Sequence, residues 1–69
     1  MGIIDEIGKE AKKDLNEESL KVALAMRESK HYFWRFFAYA LMEASYKQQF
    51  KIKSVYEDEW NVFLKGEDV

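Results

Sequence analysis

Few residue types in this 69-residue chain could take a direct part in catalysis or metal binding. The chain has one histidine and no cysteine, and its serines at positions 19, 29, 45 and 54 all have helical or capping surroundings. Glu28 and His31 have the Glu-x-x-His spacing of di-iron helical bundles, but a full site needs a second such pair and further inward carboxylates. No Ser/His/Asp arrangement is placed to activate a nucleophile. The sequence therefore predicts no catalytic residue, no metal site and no cofactor.

A stripe of tyrosine, arginine and glutamate is the clearest binding signal. Its tyrosines recur every seven residues, a spacing that drifts only ~20° per step around a continuous helix. Tyr and Arg are enriched among the residues that dominate protein–protein binding energy. The same pattern also suits a half-buried helix face whose hydroxyl groups reach water. We expect the stripe to bind another protein, and its members are Tyr32, Arg35, Tyr39, Glu43 and Tyr46.

The segment 33–42 is apolar almost all the way round, because Arg35 is its only polar residue. A surface helix normally carries one apolar stripe and one wet face. Here two apolar stripes require two covering surfaces, and a short chain has few elements with which to cover them. We therefore expect a homodimer, with a buried or self-association seam formed by Trp34, Phe37 and Leu41. The two stripes are Val22, Met26, Phe33, Phe37, Ala40 and Ala44, and Leu20, Ala23, Trp34, Ala38, Leu41 and Ser45.

Helical spacing extends along most of the chain, which contains no proline. Ile3, Ile4, Ile7, Ala11 and Leu15 predict a short amphipathic first helix, followed by a cap at Asp14 or Asn16. A second helical segment follows from 17 to 49. A straight helix of that length would be about 50 Å long, more than a compact monomer of this size accommodates. Either it bends near residues 29–31 or it extends and pairs with another chain, and we expect residues 31–49 to be the central helix.

The segment 50–65 fits two structures. Alternating apolar residues suit a β-hairpin around residues 57–59, whereas the spacing from Ile52 to Phe63 suits a helix. The end signals favour the helix: a capping box at Ser54–Glu57, acidic residues in the first turn, Lys65 in the last turn, and Gly66 after it. The prediction is a single all-α domain over 1–69, a bundle of three or four helices. An α+β fold with a hairpin at 50–65 is the alternative.

The charge balance argues against obligate binding to nucleic acid. There are 13 acidic and 11 basic residues, a formal net charge of -2, and no basic run longer than Lys12-Lys13. Nucleic-acid-binding domains usually present a basic stripe to the phosphates. The alternative function is a small dimeric nucleic-acid-binding regulator that uses the local cluster of Lys47, Lys51 and Lys53.

The remaining features favour a protein-binding role in the cytoplasm. No signal peptide is evident, and the apolar run is about half the ~20 residues needed to cross a bilayer. The expected function is a non-catalytic protein–protein interaction module, a small inhibitor or adaptor of another protein. Small, cysteine-free, aromatic-rich acidic chains also suit accessory proteins of phages or plasmids.

Overall fold

The computed structural model describes the backbone of residues 2–69 and the side chains of residues 13–69. These residues form four helices, α1 (Gly2–Arg27), α2 (Tyr32–Met42), α3 (Tyr46–Val55) and α4 (Glu57–Leu64), and no strand. The all-α prediction is confirmed. The alternative hairpin is wrong, because the end of α3 and the whole of α4 occupy residues 50–65. None of these helices is both long and apolar enough to cross a membrane.

The long helix of the protein is α1, which has 26 residues. The predicted cap at Asp14 or Asn16 is wrong, because α1 continues through both positions without a break. Leu15, Val22 and Met26 are buried along one face of α1, so packing against the other helices favours continuation. The predicted apolar stripe at positions 3, 4, 7 and 11 lies outside the described side chains.

The predicted central helix over 31–49 is wrong, because two helices occupy that range. Of the two alternatives for the long helical segment, the chain takes the bend, at residues 28–31, and α2 follows with 11 residues. A second break lies at residues 43–45. There Ser45 has extended backbone angles and begins α3 with a capping box. Its Oγ accepts a hydrogen bond from the Gln48 amide at 3.3 Å, and the Gln48 side chain accepts one from the Ser45 amide at 2.8 Å. This pairing satisfies two backbone donors that a helix start leaves without partners.

The capping box predicted at Ser54–Glu57 is wrong. Ser54 lies within α3, where its hydroxyl donates to the Phe50 carbonyl at 2.9 Å, and the N-cap of α4 is Tyr56. The predicted end of α4 is confirmed at Gly66, whose positive φ of 82° is a left-handed conformation that favours glycine. The Gly66 amide donates to the Phe63 carbonyl at 2.8 Å and the Glu67 amide to the Val62 carbonyl at 3.1 Å, which is a Schellman motif. Lys65 is the C-cap.

The core lies where α2 and α4 pack against α1. Its largest fully buried side chains are Trp60, Phe63, Met26 and Leu41. Trp34 of α2 makes edge-to-face ring contacts with Tyr56 at 5.3 Å and Phe63 at 5.4 Å between centroids. Such aromatic pairs are stabilising beyond the area that they bury.

A carboxylate ties three of the helices together at the edge of this core. Glu18 on α1 accepts hydrogen bonds at one oxygen from the Trp60 indole at 2.6 Å and from Lys53 at 2.8 Å. Burial opposes ionisation of Glu18. The two hydrogen bonds, with the positive charges of Lys53 and Lys21, outweigh it and lower the pKa of this carboxyl.

The two serines distinguish the observed capping box from the one expected from sequence. Ser45→Ala should lower the free energy of unfolding by about 1 kcal/mol, because the side-chain acceptor at the start of α3 is lost. Ser54→Ala should change it by less than about 0.5 kcal/mol, because Ser54 is an exposed residue inside a helix. Urea denaturation followed by circular dichroism measures both. A larger loss in Ser54→Ala than in Ser45→Ala would contradict this assignment of the helix boundary.

Candidate functional site

Helices α1 and α2 present a broad apolar surface that no other described element covers. Spacings of three and four residues align its members along each helix. We call this surface the α1–α2 face. It consists of Leu20, Leu24 and Arg27 on α1, Tyr32, Arg35, Phe36, Tyr39 and Met42 on α2, and Glu43 at the C-cap of α2.

The aromatic side chains of this face are unusually exposed. Tyr32, Phe36 and Tyr39 have exposed fractions of 70%, 71% and 58%. The surface is continuous across the two helices because side chains from both line shared hollows. Leu20 and Met42 line one of about 260 Å³. Arg27 lines a second, of about 230 Å³, with the three aromatic residues and Arg35. Exposed apolar patches of this kind are found at sites that bind proteins, membranes or ligands.

A hydrogen-bonded turn at residues 28–31 positions the start of α2. Ser29 is fully buried, and its hydroxyl donates to the Asp68 carboxylate at 2.6 Å and accepts from the His31 amide at 3.1 Å. The other oxygen of Asp68 accepts the Lys30 amide at 2.9 Å. Asp68 thus holds the turn just before α2, whose N-cap residue His31 makes no side-chain cap.

The same turn holds Arg35 in place. The Nε of Arg35 donates to the Ser29 carbonyl, and its guanidinium carbon lies 5.2 Å from the centre of the Tyr32 ring. Among the described residues, neither Arg35 nor Arg27 forms an ion pair. The terminal nitrogens of Arg35 therefore remain available, in a fixed orientation, for a carboxylate from another molecule.

The charge of Asp68 is favoured by its neighbours. The Lys30 amide, the Ser29 hydroxyl and the Val69 amide donate to this carboxylate, and His31 lies nearby. The hydrogen bond from the Lys30 amide has the largest effect, and together these groups lower the pKa of Asp68. The charged form of Asp68 therefore stabilises the turn that orients Arg35.

The structure brings together four of the five residues predicted to bind a partner. Tyr32, Arg35, Tyr39 and Glu43 share the α1–α2 face, but Tyr46 does not. Tyr46 begins α3 beyond the break at 43–45, and it is half-buried against the core. The seven-residue spacing places it on the stripe only if the helix is continuous, which it is not.

The residues expected in a buried or self-association seam lie mainly inside the single chain. Trp34 and Leu41 belong to the core, and Phe37 is half-buried beside it. The Phe37 ring contacts Phe33, Trp34 and Tyr56 at centroid distances of 5.7, 5.6 and 5.6 Å. Their burial is met by intramolecular packing, and their role in self-association stays a prediction.

Sequence reasoning missed several members of the face. Phe36 was assigned to no stripe, although it follows Tyr32 by four residues and precedes Tyr39 by three. Leu20 was expected in a core stripe but is 54% exposed. The alignment of Leu20, Leu24 and Arg27 on one side of their helix was visible in the sequence. That this side faces away from the core was not.

The other candidate features are more dispersed. Lys47 and Lys51 are exposed on α3, whereas Lys53 is paired with Glu18. A groove of about 440 Å³ runs between α1, α3 and α4, and this Glu18–Lys53 pair lies in its wall. No three His, Cys, Asp or Glu side chains from residues 13–69 are grouped so that they could hold a metal ion.

The Asp68 carboxylate makes the stability of the turn depend on pH. Because the folded pKa is lowered, its contribution is present above the unfolded pKa of about 4 and is lost as pH falls through the folded value. Thermal midpoints measured from pH 7 down to about pH 3 should therefore fall less steeply in Asp68→Asn than in the unaltered protein. At neutral pH the thermal midpoint of Asp68→Asn should also be lower than that of the unaltered protein.

Glu67→Gln is the matched control for this titration, because it removes a neighbouring exposed carboxylate that makes no described ion pair. Its midpoint should follow that of the unaltered protein. Equal acid sensitivity in Asp68→Asn and the unaltered protein would contradict the proposed contribution of Asp68.

Comparisons of the chain with models of known protein families, with curated proteins and with solved structures give no significant match.

Proposed function

We propose that this protein is a non-catalytic protein–protein interaction module, a small inhibitor or adaptor that binds another protein through the α1–α2 face. The observation that carries this proposal is the exposure of Tyr32, Phe36 and Tyr39 on one side of a short helix. Full burial of a large apolar side chain is worth roughly 1.5–3 kcal/mol, and these three side chains forgo more than half of it because they are 58–71% exposed. Contact with a partner would recover that free energy.

The composition and order of the face support recognition as well as burial. Tyr and Arg are the residue types that most often dominate binding energy. An aromatic ring has few rotatable bonds, so it loses little conformational entropy when a partner immobilises it. Arg35 is already held by Ser29 and Tyr32, which reduces the entropy lost when it pairs with a partner carboxylate.

The charge pattern indicates what the partner surface contains. The hollow beside Tyr39 is lined by Arg27, Arg35 and aromatic residues, with no carboxylate. A complementary surface would place an acidic side chain there, surrounded by apolar groups.

Tyr39→Ala tests the proposal, with Phe50→Ala as the matched control because both side chains have an exposed fraction of 58%. The unaltered protein and both variants are used as bait, and bound proteins are quantified by mass spectrometry. A specific partner should be depleted with Tyr39→Ala and retained with Phe50→Ala. With the purified partner, calorimetry should show that Tyr39→Ala raises the dissociation constant by about 30-fold, the usual effect of a dominant interface residue.

The fold of each variant is checked by far-ultraviolet circular dichroism, which should not change because Tyr39 lies outside the core. Loss of the same proteins with Phe50→Ala, or undiminished binding by Tyr39→Ala, would contradict the placement of the binding surface. Loss of helical signal in Tyr39→Ala would show that this tyrosine supports the fold instead.

A further inference from the structure

We propose that the α1–α2 face binds a second copy of this chain when the protein is alone in solution. The inference rests on the proposed function, since it takes this face to be a protein-binding surface, and it names the chain that occupies it. Two copies would meet through their α2 helices, antiparallel and related by a two-fold axis beside Tyr39. Each copy would contribute a helical hairpin of α1 and α2 to a four-helix arrangement.

The first argument is the symmetry of the residues around Tyr39. Arg35 precedes Tyr39 by four residues and Glu43 follows it by four, while Phe36 and Met42 lie three residues on either side. At about 100° per residue, the first pair lies about 40° to either side of Tyr39 and the second about 60°. Glu43 keeps right-handed helical angles, with φ -90° and ψ -2°, so this spacing holds at the end of α2.

Antiparallel pairing converts this symmetry into complementary charges. When two α2 helices meet with Tyr39 opposite Tyr39, Arg35 of each copy lies at the same height along the helix axis as Glu43 of the other, on the opposite flank of the contact. The long side chains of both residues can then join across the interface. The interface would be isologous, as in most homodimers, so this pair would form twice. Within one chain Arg35 has no carboxylate partner among the described residues, and the second copy supplies one.

The second argument is the apolar area. Besides the three exposed aromatic residues, Leu20, Leu24 and Met42 have exposed fractions of 54%, 47% and 39%. A large aromatic side chain can bury ~200 Å², so the six together expose roughly 600 Å² on each chain. With Arg27, Arg35 and Glu43 at the edges, the face approaches the ~800 Å² per partner of a standard stable interface. The apolar part alone, roughly 600 Å², lies at the upper end of the ~300–600 Å² that the largest apolar patch of a monomeric protein covers.

Two single charge reversals and their mixture test this arrangement. The unaltered protein should have the mass of a dimer by light scattering, with dissociation only on dilution. Arg35→Glu and Glu43→Arg should each be monomeric under the same conditions, because each self-pairing sets like charges opposite one another twice. The dimer dissociation constant should rise by ~100-fold or more. Mixing the two variants in equal amounts should restore a dimer, since every introduced charge then faces an opposite one.

Lys51→Glu is the matched control, because it makes the same charge change on α3 outside the face, and it should remain dimeric. Arg35→Glu also removes the contact with Ser29, so circular dichroism checks its fold, and Glu43→Arg stands as an independent test. A monomeric unaltered protein, a dimer that survives Glu43→Arg, or a mixture that stays monomeric would each overturn the inference. A monomeric unaltered protein would leave the proposed function intact, because that function has its own test: another protein should be lost with Tyr39→Ala and retained with Phe50→Ala.

Discussion

The turn at residues 28–31 is the constraint on which the rest of the structure depends, because it sets the rotation of α2 about its own axis. If one helix continued from α1 through α2, the directions of all its side chains around the axis would be fixed by a single helical repeat. The turn breaks that repeat and gives α2 a new rotation about its axis. Buried Ser29 holds the turn, because its hydroxyl donates to Asp68 and accepts from the His31 amide. As a result Trp34, Ala38 and Leu41 face the core, and Phe36 and Tyr39 face solvent.

Coverage of α2 is limited by the length of the chain. Helix α1 covers most of the buried side of α2, with α3 beside it and Phe63 of α4 against Trp34. No described element remains to enclose the side that carries Phe36. Small domains bury a smaller fraction of their surface than large ones. This protein concentrates its burial in a few large side chains, among them Trp60 and Phe63. The uncovered part of α2 is therefore a consequence of how the fold distributes a limited interior.

The two proposals for the α1–α2 face are connected by this limited coverage. If a second copy occupies the face, another protein that uses it must displace that copy or bind the dimer elsewhere. The free energy of dimerisation would then reduce the apparent affinity for the other protein. Arg35 is central to either contact, because its orientation is set within the chain while its terminal nitrogens are not used there.

The sequence by itself determined the all-α class, the end of α4 at Gly66 and the helical spacing of Tyr32, Arg35, Tyr39 and Glu43. Local spacing and capping chemistry carry that information. The sequence left the bend near residues 29–31 as one of two alternatives. The capping box at Ser45 was also readable, since a serine followed three residues later by glutamine is its signature. The helix start at Ser45 interrupts the predicted central helix over 31–49 and places Tyr46 on α3.

Only the tertiary structure decided which side of each helix is buried. Leu20 and Phe33 are as apolar as Val22 and Trp34, yet the first two are exposed and the last two are in the core. Which side of a helix is buried depends on where α4 packs and on the hydrogen bonds that Asp68 accepts from the turn at residues 28–31. The donors, Ser29 and Lys30, lie 39 and 38 positions away from Asp68 in the chain. Contacts of such long sequence separation leave no local periodicity in the sequence. Hydrophobic patterning shows that a helix face is apolar, but it does not show which other element covers that face.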